Sequence, residues 1–260
     1  MKKIYFITAL ITVIGMISII NYFVSAEESE GAPDTSQMFL QANQAYMAAD
    51  FRKAAQYYDK IISSGIVNGE VYYNLGNACI KSEDIGKAIL NYRKAEMFMP
   101  RDEDLRTNLE YASGLTRDRI ECRELLSFLK RLCFWYSKLN LNELATLFLI
   151  GNFILWAMLS VRIYFKKEIL TIALYIIIFL TSVLGVSYGV KIYNLQFNTQ
   201  GVVLTGEIMV RSGNSINDTV LFKLHEGAEF TWEQKKSGWV KIRLCDGKKG
   251  WVQAAVVGKI

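Results

Sequence analysis

Side chains able to do chemistry are few and scattered along these 260 residues. One histidine, His225, accompanies four cysteines, Cys79, Cys122, Cys133 and Cys245. A multi-histidine metal site needs several imidazoles, which one chain cannot supply, and a histidine-based triad is not expected around the one it has. No two cysteines have the CxxC spacing of a redox centre. If residues 120 to 136 are helical, Cys122 and Cys133 lie about 16 Å apart at about 1.5 Å per residue, beyond disulfide reach. Cys79 and Cys245 are expected to fill small apolar sites. With no haem, flavin or metal ligand set in the sequence, no cofactor is expected and the chain reads as a binding protein rather than an enzyme.

Charge narrows the partners. Residues Glu27 to Ser113 hold nine basic and fourteen acidic side chains, a net −5, and the tail from Gly201 holds nine basic and six acidic, a net +3. Neither carries the dense Lys/Arg stripe with interleaved aromatics that a phosphate backbone demands, which excludes nucleic acid as the expected partner.

Hydropathy sets where these residues must sit. Lys2 and Lys3 precede an uncharged apolar stretch from Ile4 to Ile20, then Val24-Ser25-Ala26 and acidic Glu27-Glu28, the pattern of a secretory signal over residues 1–26. An uncleaved anchor would export the residues after it equally well. Leu144 to Val161 and Ile169 to Val190 contain no charged residue and are membrane-length. The basic connection 162–168 is too short for anything but a helical hairpin, predicting spans at 144–161 and 169–190 with a cytoplasmic loop between them. Both ends of the chain then lie outside the inner membrane. Before the first span, within 114–143, Leu125, Phe128, Leu129, Leu132 and Tyr136 recur at helical spacing, an amphipathic linker helix placed either to rest in the lipid interface or to pack on the preceding domain.

Residues 36–113 repeat themselves at an offset of thirty-four: Asn43 with Asn77, Asp50 with Asp84, Lys53 with Lys87, Ala54 with Ala88, Tyr58 with Tyr92 and Lys60 with Lys94. That period, with Tyr72, Leu75-Gly76, Ala78, Asp84, Ala88, Tyr92, Ala95 and Pro100 in the second copy, resembles the tetratricopeptide family. The resemblance implies two all-α repeats closed by a helix over Leu105 to Ala112. On the family's pattern the concave face comprises Phe39, Asn43 and Tyr46 from the first copy and Tyr73, Asn77 and Lys81 from the second. The asparagines suit an extended peptide backbone and the aromatics cover side chains. These same residues could instead pack the repeat to its neighbour. Related carboxylate-clamp repeats pair such asparagines with a lysine, replaced here by Phe39 and Tyr73, which argues against a C-terminal carboxylate ligand.

After Tyr193 the periodicity becomes that of short strands: Val202 to Thr205, Glu207 to Arg211, Thr219 to Lys223, Glu229 to Glu233, Trp239 to Leu244 and Lys249 to Val252, with Asp246-Gly247 as a hairpin signal. Val210-Arg211-Ser212-Gly213, Leu224-His225-Glu226-Gly227, Gly238-Trp239-Val240-Lys241-Ile242 and Asp246-Gly247-Lys248-Lys249-Gly250-Trp251-Val252 together resemble the bacterial SH3-like family, implying a small all-β barrel over 200–260 that binds cell-wall peptides or proteins. Trp239 and Trp251 either build it or offer a ligand surface, and His225 with Glu226 reads as part of a turn.

The order of signal, repeats, linker, membrane hairpin and SH3-like domain resembles the BatE family of the bacterial aerotolerance operon across essentially the full chain. That resemblance implies an inner-membrane component acting with sister proteins carrying von Willebrand A domains and with a MoxR-type ATPase. The expected function is a non-enzymatic adaptor or scaffold of an envelope complex; the alternative is a cell-wall tether or sensor.

Overall fold

The computed structural model describes residues 33–118, 120, 134–197 and 199–260. The expected signal, Cys122, Cys133 and most of the expected linker helix lie outside the described residues.

Among the described residues five helices come first: α1 (Pro33–Met47), α2 (Phe51–Ser63), α3 (Gly69–Lys81), α4 (Ile85–Phe98) and α5 (Glu103–Gly114), each packed on the next. The thirty-four-residue offset is visible in their backbone. Asp50 and Asp84 cap α2 and α4, accepting from the N–H groups of Lys53 and Lys87 at 3.3 and 3.2 Å. The preceding residues, Ala49 and Glu83, have φ of 58° and 64°. Left-handed backbone costs a residue bearing a side chain about 1–2 kcal/mol. In both turns the capping aspartate's own N–H returns to a carbonyl five residues back, Ala45 or Cys79, each at 2.9 Å. Asn68 and Asp102 cap α3 and α5 through Glu70 and Leu105, and Pro100, which lacks a donor, stands just past the end of α4.

Small residues let these helices approach. Ala42, Ala54, Ala78, Ala88, Ala95 and Ala112 expose nothing, and Tyr58 and Tyr92 fill the space between helices. Gly76 lies flat against Tyr92, where a Cβ would fall 2.5 Å from ring carbons.

Next come the short α6 (Phe134–Lys138) and two long helices, α7 (Leu141–Tyr164) and α8 (Glu168–Phe197), both long and apolar enough to cross a membrane. They extend beyond the charge-free runs because no helix breaker flanks those runs. Phe148 against Gly185 and Gly151 against Thr181 set α7 and α8 antiparallel. Of the expected linker segment, Leu115 to Asp118 form a turn and a short irregular stretch, and Leu139 and Asn140 are not helical, while Leu125 to Leu132 lie outside the described residues. At its described end Asn140 Nδ2 donates to the carbonyl of Phe98 (3.1 Å) and Arg101 to that of Lys138 (3.3 Å), tying α6 to the helical region.

The C-terminal strands β1 (Gln200–Val203), β2 (Glu207–Arg211), β3 (Val220–His225), β4 (Glu229–Lys236), β5 (Trp239–Arg243), β6 (Lys249–Gln253) and β7 (Val257–Lys259) form one antiparallel sheet ordered β3-β2-β6-β5-β4-β1-β7. Val203, Val210, Leu224, Phe230, Val240, Ile242 and Val252 make its core. The β4–β5 hairpin turns at Ser237 and Gly238, both at positive φ, as a two-residue primed turn requires. At Asp246-Gly247 only the glycine is left-handed, so the β5–β6 loop spans three residues. Strand β7, too short to show alternation, was not anticipated; it pairs with β1.

Helical region and sheet share one core. Strands β1 and β7 pack on α4, burying Val202 with Ile89 and Leu90, and Leu204 and Ile260 close over the same cluster. Arg93 of α4 forms a two-pronged pair with Glu229 of β4, Nε and Nη2 each 2.9 Å from a carboxylate oxygen, while Nη1 holds Glu96 at 2.9 Å. Burial pulls the guanidinium's pKa down, but the bonds to the two glutamates outweigh it and leave it raised. Glu226 accepts from the Gly86 N–H at 2.8 Å, a second cap on α4 supplied from 140 residues away. Gly227, at φ +83°, presses against Ile89 and Ile85, where a side chain would have neither room nor a favourable backbone. Asp118 accepts from the His225 N–H (2.6 Å) and lies 2.8 Å from its Nδ1.

The cysteines divide. Cys79 is buried and free, its thiol pushed up to about 12 by burial and then by Asp84 and Asp59, so it stays protonated at neutral pH. Cys245, expected in a small apolar site, is instead exposed and disulfide-bonded.

A double-mutant cycle on Arg93→Ala and Glu229→Ala, read by denaturant unfolding, is expected to give a coupling of about 1–2 kcal/mol, discounted for the pair's partial exposure. A coupling indistinguishable from zero would show that this ion pair adds nothing to the joining of sheet and helices.

Candidate functional site

The residues expected to form a recognition face sit on α1 and α3, and their hydrogen bonds repeat with the sequence. Asn43 Oδ1 accepts from the Tyr58 hydroxyl at 2.6 Å and Asn77 Oδ1 from the Tyr92 hydroxyl at 2.8 Å, each donor fifteen residues on. A phenol has one proton to give, so these bonds orient each amide with its oxygen toward the helix pair. Asn108 of α5 adds a bridge, its Nδ2 3.0 Å from both Asn77 Oδ1 and the Tyr73 hydroxyl. Among the described residues the Nδ2 groups of Asn43 and Asn77 have no protein partner, which leaves them as donors.

Four of the six expected residues, Tyr46, Tyr73, Asn77 and Lys81, line one cavity of about 350 Å³ together with Ile80, Tyr92, Asn108 and Tyr111. Phe39 and Asn43 lie outside that lining; Phe39 meets Tyr58 edge-on, ring centres 6.0 Å apart. Asn108 and Tyr111 were missed; Tyr111 falls thirty-four residues after Asn77 of the expected face, so the repeat points to it, whereas Asn108 falls after Asn74, which that face does not include. Burial raises the Tyr46 and Tyr92 phenols, with Tyr73 adding to both, and pushes Tyr58 up to about 12 with a contribution from Tyr46. Four aromatic walls, an amide donor and one ammonium group suit an acceptor-rich extended segment.

On the sheet, Trp239 and Trp251 are half-buried on the face opposite Val240, Ile242 and Val252. Trp251 stands in register with Lys241 of β5 and Arg211 of β2, and Trp239 with Gln253. Both indoles therefore flank Lys241 on one surface.

Residues 206–258 match the bacterial SH3 domain family. The match covers β2 to β6 and most of β7, including both tryptophans of that surface. The chain is also similar to the general transcriptional corepressor trfA of Dictyostelium discoideum, 35% identical over 69 residues, which are 26% of this chain and 5% of that protein. It thus spans only a small part of that relative's length. A bacterial SH3 domain points to protein or cell-wall binding.

Within the SH3 domain the turn Leu224-His225-Glu226-Gly227 serves as a docking element against α4, a role its local sequence does not announce.

The buried phenols make a pH prediction. The Tyr58 phenol holds its proton more tightly folded than unfolded, so its contribution is whole below the ordinary value of 10.0 and is lost as pH climbs toward about 12. Denaturant stability should fall across that window, and Tyr58→Phe should flatten the fall at a cost of about 1 kcal/mol at neutral pH. An unchanged alkaline profile in Tyr58→Phe would exclude that phenol as the titrating group.

Proposed function

We propose that this chain is a non-enzymatic adaptor of the bacterial envelope, holding two binding modules outside the inner membrane. The helical region, residues 36–113, reads as two tetratricopeptide repeats with a closing helix. Its repeated caps, left-handed turns and Asn–Tyr bonds support that reading. The bacterial SH3 domain supplies the second module.

The observation that carries the proposal is the packing of α4 on β1 and β7, sealed by Arg93 and Glu229. Residues in contact must lie on the same side of any membrane crossed between them. The two membrane-length helices, α7 and α8, are inserted in the sequence between these partners. Two crossings return the chain to its starting side; one would not. With the signal read at residues 1–26, that side is extracytoplasmic, and the disulfide at Cys245 accords with an oxidising compartment. The BatE resemblance supports sister von Willebrand A proteins as partners and links the adaptor to aerotolerance. A wall tether is the second reading, favoured by the SH3 match and the aromatic, basic surface around Lys241.

Reporter fusions at 162–168 and at the C-terminus should give opposite locations, cytoplasmic for the loop and exported for the end; a cytoplasmic C-terminus would overturn the arrangement. Crosslinking the full-length protein in native membranes is expected to recover envelope proteins. Lys81→Glu, which leaves the Tyr92–Asn77–Asn108 bonds untouched, should reduce that recovery several-fold. Recovery of wall fragments alone, indifferent to Lys81, would favour the tether.

A further inference from the structure

Three hydroxyls of α7 and α8 are satisfied within their own helix. Thr146, Ser160 and Ser187 each donate a hydroxyl proton to the carbonyl four residues back, at 2.8 to 2.9 Å. Each spends its single proton in doing so. Asn152 makes the same backward bond, Nδ2 to the Phe148 carbonyl at 3.0 Å. A carboxamide has two protons and a carbonyl, however, so one N–H and Oδ1 remain without a partner among the described residues.

The position of this remainder gives it consequence. Asn152 sits midway along the charge-free run, eight residues after Leu144 and nine before Val161, about 12–14 Å from either end at about 1.5 Å per residue. Read as a membrane span, this places the group at the centre of the hydrocarbon, where no water or headgroup reaches it. Among the described residues its own hairpin partner makes no hydrogen bond to it; α8 meets α7 through Gly185 at Phe148 and Thr181 at Gly151.

We propose that Asn152 joins two copies of this chain within the membrane, each amide donating its second N–H to the other's Oδ1. The carboxamide is self-complementary, presenting a positive and a negative pole in one planar group. A second copy in the same orientation brings its own Asn152 to the same depth by construction, whereas another protein would need a matching polar group at that level. A two-fold axis along the membrane normal makes the two bonds equivalent. The consequence for the adaptor is bivalence: paired spans present two helical regions and two SH3 domains on one side. The inference rests on reading α7 and α8 as spans.

The test uses the full-length protein carrying C-terminal fluorophores, reconstituted in phosphatidylethanolamine–phosphatidylglycerol vesicles, with energy transfer followed as protein is diluted into lipid. Asn152→Leu is expected to weaken self-association about tenfold, roughly 1.4 kcal/mol. Asn152→Gln, which keeps the amide, should restore it, and Ser160→Ala should leave it unchanged. Wild-type protein that stays monomeric, or Asn152→Leu that associates like wild type, would overturn the pairing while leaving the adaptor reading intact. Release of wild-type protein from native membranes by alkaline carbonate would instead defeat the span reading, and the pairing with it.

Discussion

Packing of α4 on the C-terminal sheet is the constraint on which the rest of the molecule depends. It joins residues separated by more than a hundred positions, and by both membrane-length helices, into one core containing Val202, Ile89 and Leu90. Arg93 and Glu229 add direction to that apolar contact, because a guanidinium and a carboxylate meet in two-pronged geometry in few orientations. Any arrangement in which the chain crosses a membrane between these elements must bring both back to one side.

That docking also bears on the candidate recognition face. Helix α4 has two working surfaces. One carries Ile89, Leu90 and Arg93 toward the sheet; the other carries Tyr92 toward Asn77 and the cavity. Glu226 and Asp84 together hold its N-terminal N–H groups. The wall of the cavity is therefore a helix clamped from behind by the SH3 domain. The Tyr58–Asn43 and Tyr92–Asn77 bonds then fix the amides with their oxygens engaged and an N–H left over, which turns two repeat-packing residues into donors as well.

Much of this was legible in residues close together in the chain. The thirty-four-residue period, the aspartate caps, Pro100, the charge-free runs and most strands of the SH3 domain each depend on interactions within a turn, a helix or a hairpin. Four of the six residues assigned to the helical face line one cavity for the same reason: helical spacing places them on one side. The repeat already reached the closing helix over Leu105 to Ala112, but that helix was read as a cap and its Asn108 and Tyr111 were not assigned to the face. Strand β7 was hidden because three residues carry no periodicity, and the break at Leu115 to Asp118 because Asp118 is drawn to His225, a partner 107 residues away.

Sequence alone determined the local order: which segments are helix, strand or apolar span, and where the repeat falls, since these come from backbone propensity, capping and the period of apolar residues. Tertiary structure alone decided that the helices and the SH3 domain share a core, that Glu226 and Glu229 serve α4, and that Cys245 is not an apolar filler. Those outcomes turn on contacts between distant segments, where complementary charge and shape leave no mark in the pattern of either segment taken separately.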